Sequence, residues 1–318
     1  MKKSTIWLIV AAGLVVIGLI VFTVALAMTA FDFGSFGTVK YETNTHEITE
    51  DFSNISINSD TADIAFIISE DCKVVCYQAQ KQKHDTFAEN GTLNIKLNDE
   101  RQWYEYIGIT TGTPKITVYL PAAEYGALTI KESTGDIDIP KELTFNSIDI
   151  IASTGDVRSL ASASDSISIK TSTGYIHIED SSSKSLILSV STGNITARSI
   201  TCTDDLTVKV STGKANLTDI TCKNLISNGN TGDIELTNVI AAEKFSIERS
   251  TGDVEFEACD AAGLYIVTDT GDVEGSLLTE KIFCVETDTG RVNVPKTTNG
   301  GICEITTDTG DIKIVIQQ

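Results

Sequence analysis

The chain has 318 residues, 44 of them acidic and 24 basic, which gives a formal charge of −20 with only three His and four Pro. A field that negative repels phosphate backbones and excludes nucleic acid as a partner. An apolar share of 41% against 21% charged is a folding composition, and the length suits one extended or two compact domains.

Ser4 to Ala30 holds no charged residue, and Ile6 to Met28 is almost wholly apolar. At about 1.5 Å per residue this run crosses a hydrocarbon core of about 30 Å. Lys2 and Lys3 precede it and Asp32 follows, so the positive-inside bias keeps the first residues in the cytoplasm and exports the rest. The expected organisation is a cytoplasmic stub over 1–5, a transmembrane signal anchor over 6–30, and a Phe-Asp-Phe-Gly-Ser-Phe-Gly spacer over 31–37. Ala25-Leu26-Ala27 resembles a cleavage site, but the apolar core far exceeds the usual 7–15 residues or so of a signal peptide. Beyond Lys3 the charge is −22.

Residues 38–127 read as strands without a strict repeat. Phe52 to Ile57 alternates, Asp60-Thr61-Ala62-Asp63-Ile64 resembles a corner with Ala in place of Gly, and Ile116 to Leu120 is a strand ended by Pro121. Gln78 to Asn90 is polar and is predicted to loop out. Solenoid ends must cover exposed strand edges, so this region is expected to supply the first coils and the cap.

From residue 128 to 318 a Thr-Gly pair recurs ten times, with Gly at 135, 155, 174, 193, 213, 232, 252, 271, 290 and 310, in steps of 19 or 20. The second residue after each Gly is apolar, from Ile137 to Ile312, and so is the seventh before it, from Leu128 to Cys303. Each unit is therefore two short strands joined at Thr-Gly. In Ser-Thr-Gly-Asp the Gly falls where a type II turn needs positive φ, whereas hairpins favour primed turns. The odd separation between inward residues, five before and two after the Gly, also demands a bend. The prediction is an all-β, parallel β-solenoid of ten coils, roughly 48 Å long at about 4.8 Å per coil.

Repeated Ser-Thr-Gly-Asp-Ile/Val corners after an Ile-x-Val-x-Leu-Pro strand, behind one N-terminal span, resemble the bacterial "putative adhesin" domain-of-unknown-function family. The resemblance covers about residues 40–318. It implies a β-strand-repeat fold at the cell envelope, with relatives tied to envelope stress or to membrane-active peptides, and it carries no catalytic residues over.

Several residues are candidates for chemistry. Toward the C-terminus the corner becomes Asp-Thr-Gly, so Asp269, Asp288 and Asp308 would stack about 5 Å apart with Asp272 and Asp311 nearby, an arrangement that recruits calcium or simply solvates an acidic edge. No other cofactor is expected. The Thr column from Thr134 to Thr309 is expected to bond around the corners and pack coil to coil, rather than bind a ligand. Trp103, Tyr104 and Tyr106 form an aromatic group suited to stacking on sugars or lying near a membrane surface, and expected first of all to fill the wider, capped end. Cys202 and Cys222 fall in adjacent coils, as a disulfide or as free thiols, while the Cys72 and Cys76 pair lacks the second pair that zinc needs.

His46, His84 and His177 are scattered and no nucleophile elbow or phosphate loop appears, so no enzyme is expected. The expectation is a single-pass membrane protein whose extracytoplasmic solenoid binds cationic peptides, wall polymers or an envelope protein. The alternative is a polysaccharide lyase with Asp-bound calcium and Arg291 as its base.

Overall fold

A computed structural model describes residues 3–28, 39–103 and 112–317. Lys3–Met28 is one helix, about 39 Å long at 1.5 Å per residue. Trp7, Leu8, Leu14, Leu19 and Phe22 are all exposed on it, so its Trp7–Val24 stretch carries no protein cover, while Leu26 near its end is buried. Its Trp7–Val24 window is long and apolar enough to cross a membrane.

The remainder is a parallel β-solenoid. Strand Thr144–Thr154 pairs with Glu124–Thr134 on one side and Ser162–Thr173 on the other, with Thr154 between Thr134 and Thr173. That register carries forward as Thr173, Thr192, Thr212, Thr231, Thr251 and Thr270. The second and fourth residues after the corner point inward with the seventh and fifth before it; Ile148, Ile150 and Val157 are at most 1% exposed. These columns join into one apolar core running through the coils. Each fully buried Ile or Leu contributes about 1.5–3 kcal/mol.

The corner is built differently from a type II turn. Gly φ runs from 120° to 159°, well beyond the roughly 80° of that geometry. Every corner Gly except Gly290, whose coil is outermost, donates its N–H to the Thr carbonyl at the corner of the next coil, as in Gly155 to Thr173 at 3.0 Å. The ladder therefore runs through the bend. The residue after Gly would lose its partner there, and an Asp or Asn side chain of the neighbouring coil supplies one. Asp136 Oδ1 accepts from Asp156 N–H at 2.8 Å, Asp156 from Tyr175 at 2.8 Å, Asn194 from Lys214 at 2.8 Å and Asp253 from Asp272 at 2.8 Å. This carboxylate column does the bonding expected of the Thr hydroxyls. Some hydroxyls that do bond, such as Thr287 and Thr307 to Gly carbonyls, lie three residues before the Gly.

A second corner sits six residues after Gly174, Gly193, Gly213, Gly232 and Gly252. Asp180, Ser199, Asp219, Asn238 and Ala258 all have φ between 51° and 54° there. Asp and Asn tolerate this left-handed conformation, whereas Ala incurs about 1–2 kcal/mol. Asn238 Nδ2 already donates to Asp219 Oδ1 at 2.7 Å. Ala258→Asn is thus expected to extend that side-chain ladder and raise stability by about 0.5–1 kcal/mol in urea unfolding.

Both ends depart from chain order. The coil at Gly310 is inserted between those at Gly271 and Gly290: Thr309 pairs with Thr270 on one side and Thr289 on the other. The acidic column consequently runs Asp269, Asp308, Asp288, and not in sequence order. At the other end Asn54–Asn58 lies between Thr92–Asp99 and Glu124–Thr134, and Asp63–Ile68 lies between Lys115–Leu120 and Ile137–Ile139. The Ala62 corner stacks on Gly135 as expected, with a Thr61 to Thr134 bridge. Gln78 to Asn90 does not loop out. Lys73–Ala79 and Gln82–Glu89 are antiparallel strands laid over Lys115–Leu120 and Thr92–Asp99, and Tyr41–Glu47 adds beyond the first.

Candidate functional site

The short strands after the corners build the most charged face. Parallel register puts Glu235, Glu255 and Glu274 in one row, about 4.8 Å apart, with Asp233, Asp253 and Asp272 in a row two residues back at the corner. The fold holds these six carboxylates together by strand register alone. Lys214 closes one end, 2.8 Å from Asp233 and 3.7 Å from Glu235, and Lys313 closes the other, 3.4 Å from Glu274. The Lys214 ammonium holds the Asp233 carboxyl below the usual range, assisted by the Asp253 N–H. Glu255, midway, makes no ion pair among the described residues.

Beside this row lies an open groove of about 420 Å³, lined by Glu235, Glu255, Glu257, Glu274, Phe256 and Val315 among others. Gly275 creates it. A Cβ on Gly275 would stand 2.3 Å from the Phe256 ring, so the ring of one coil occupies the slot left empty in the next. The groove thus has apolar carbon on its floor and carboxylates on its walls, which suits a ligand with a cationic head and an apolar stem.

The expected calcium ligands are placed as follows. Asp272 Oδ1 accepts the Asp311 N–H at 2.7 Å, and Asp311 Oδ1 accepts the Arg291 N–H at 2.9 Å. The Arg291 guanidinium donates to Asp311 Oδ2 at 2.6 and 3.1 Å and holds that carboxyl low. Among the described residues no three His, Cys, Asp or Glu side chains converge as a metal centre. Trp103 is exposed at 78%, while Tyr104 and Tyr106 lie outside the described residues. Cys202 and Cys222 stack in adjacent coils and are free, as are Cys72 and Cys76. Burial pushes the Cys222 thiol up to about 12.

One constellation was not anticipated. His84 Nδ1 donates to Gln78 Oε1 at 2.8 Å and its Nε2 lies 3.1 Å from Ser59 Oγ. That is the spacing of a nucleophile, base and orienting group. Ser59, His84 and Gln78 are only 6%, 3% and 1% exposed, however, and Glu132 beside Ser59 is 4% exposed. Sealed from substrate, the group joins the antiparallel cap to the first two coils. Glu132 Oε1 takes long bonds of 3.3 Å from the Ala62 and Thr134 N–H groups, and Oε2 has no partner. Burial raises Glu132 to about 7 and lowers His84 to about 4.

No curated protein matches the chain in sequence. Among solved structures, one described as a putative adhesin from Parabacteroides distasonis is similar at 9% identity, with 88% of this chain and 98% of that one covered and a TM-score of 0.50. A putative adhesin from Parabacteroides merdae has 12% identity, 75% and 97% coverage and a TM-score of 0.49. A protein described as a putative lipid binding protein, also from P. distasonis, has 18% identity, 88% and 98% coverage and a TM-score of 0.48. The model of the Toastrack DUF4097 family matches residues 52–204 and again 198–318. With nearly all of the solenoid accounted for, the chain belongs to the Toastrack DUF4097 family.

Proposed function

We propose that this protein is a membrane-anchored binding module of the bacterial cell envelope, whose solenoid holds cationic ligands on the carboxylate grid of its short-strand face. The observation that carries the reading is the registered pair of rows, Asp233, Asp253, Asp272 and Glu235, Glu255, Glu274. A repeating cation meets many weak contacts at fixed spacing there, and their joint occupancy multiplies affinity without any deep pocket. The exposed apolar helix favours anchoring, and the lysines before it favour an extracytoplasmic solenoid. Cationic peptides, basic envelope proteins and amine-bearing wall polymers share the required chemistry, and a place in an envelope-stress response follows if such peptides are the ligand. The adhesin description of the similar solved structures agrees with a surface binding role.

Binding without catalysis is the better reading of the site. The lyase alternative needs Arg291 as a proton acceptor, and the Asp311 carboxylate beside it raises the affinity of that guanidinium for its proton. Decalysine is the direct probe. The full chain in detergent is expected to bind it, with affinity falling at least about tenfold between about 50 and 500 mM salt. The combined substitution E235Q, E255Q, E274Q is expected to weaken binding about tenfold without shifting the melting temperature. Salt-insensitive binding, or full affinity in the triple variant, would show that the grid is not the site.

A further inference from the structure

The inserted last coil leaves residues 281–293 outermost. Strand Lys281–Thr289 pairs with Gly301–Thr309 on one side and with no described strand on the other. Alternate residues along its nine-residue length therefore turn backbone donors and acceptors outward without a ladder, apart from the Lys281 carbonyl, which accepts from Thr297 Oγ1. The core is open at the same place. Cys303 and Ile305 are buried, but the residues stacked on them, Phe283 and Val285, are only half-buried. The opposite end of the rod is covered by the antiparallel strands of the cap.

Two columns of carboxylates run to this open edge and finish differently. Asp233, Asp253, Asp272 and Asp311 are followed by Arg291, whose guanidinium closes that column on Asp311. Asp269, Asp308 and Asp288 make no ion pair among the described residues and end at the edge. Like charges stacked at about 4.8 Å repel, and a cation in the next position would do for this column what Arg291 does for the other.

We propose that the open edge accepts an extended, basic, amphipathic segment of another protein, added parallel as one more strand. Its apolar side chains would lie over Phe283 and Val285, and a Lys or Arg would stand in line with Asp288. Strand addition supplies affinity through the backbone, and the side chains supply register. Charge selects this occupant over a second copy, which would meet the edge antiparallel across a two-fold axis and bring Glu286 and Asp288 of an equally acidic chain to an edge that lacks a free cation among the described residues. The inference rests on the reading of the chain as a binding module, but at a surface separate from the short-strand grid.

The probe is a labelled decapeptide with Ile at its third and fifth positions, Lys at its eighth and Ser or Thr elsewhere, added to the full chain in detergent micelles. Binding is expected to slow amide hydrogen exchange within 281–289. Asp288→Lys, at an exposed position, is expected to weaken it at least about tenfold, whereas E235Q, E255Q, E274Q leaves it unchanged. Protection elsewhere or nowhere, or undiminished affinity in D288K, overturns the proposal. So does protection of 281–289 that grows with the concentration of the chain alone, which would make a second copy the occupant. Failure of decalysine to bind the grid leaves this result readable, because the two sets of substitutions are separate.

Discussion

Replacing Gly213 with Ala is expected to cost at least about 3–5 kcal/mol, far more than one added methyl costs at an open position of the rod. A Cβ there would stand 1.9 Å from the Gly193 carbonyl oxygen, at a φ of 130° that L residues rarely adopt. The obstacle is backbone, so no side chain can swing away. The neighbouring coil cannot recede either, because its own Gly lies just as close to the coil beyond: a Cβ on Gly193 would stand 2.0 Å from the Gly174 oxygen. A local push is passed along the stack, and solenoid stability is roughly a sum over such nearest-neighbour interfaces. Gly91 is the control: its φ is also positive, at 73°, but a Cβ there meets nothing within 4 Å. Gly91→Ala is expected to cost about 1–2 kcal/mol. Urea unfolding of the two variants beside the parent decides the matter, and equal losses would mean that the corner needs only an unusual dihedral angle and not contact between coils.

The same corners explain what could be read in advance and what could not. Thr-Gly phase and the inward columns fixed by it follow from residue type, because a core this narrow admits mostly Ile, Val and Leu. Stacking order does not follow. The coils at Gly290 and Gly310 carry the same pattern, and nothing in a period tells which lies outermost. The one local signal was Gly300-Gly301, where a Cβ would stand 1.7 Å from the Glu280 oxygen and 1.8 Å from the Ala262 oxygen respectively, the glycines that let the chain slip between two coils already formed. The cap strand Gln82–Glu89 was hidden for a different reason. Its alternation is written in polar residues, since His84 and the Gln78 it faces are buried through a bond to each other and not through apolar surface. The second corner went unread, although Asp180, Asp219 and Asn238 are residues suited to left-handed φ, because Ser199 and Ala258 at the same place break the pattern. Of the acidic face, the Asp column at the corners could be read, but the Glu235, Glu255 and Glu274 row went unread because only strand register brings those residues into line.

The sealed Ser59, His84, Gln78 and Glu132 group makes the second large prediction, one of opposite slopes. Glu132 titrates near 7 in the folded chain, raised chiefly by burial with Asp60 adding to it, against a usual value of 4.5. The folded state then holds a proton that the unfolded state has lost between those values, so this residue makes stability fall as pH rises from about 4.5 to 7. His84 titrates near 4 instead of 6.5, lowered by burial and only partly restored by Asp85. Here the unfolded state binds the extra proton, and stability rises with pH from about 4 to 6.5. In the parent chain the two slopes nearly cancel over their shared window. Removing either partner exposes the other. Glu132→Gln is expected to gain about 2–3 kcal/mol relative to the parent between pH 4.5 and 7, and His84→Asn to lose a similar amount over the same range. Comparing each variant with the parent removes the titrations they share, including the surface carboxylates. Urea unfolding at the two ends of the window gives the differences directly. Two variants with the same slope would mean that these side chains reach water, and that the cap does not close over the first coils as the 3% exposure of His84 requires.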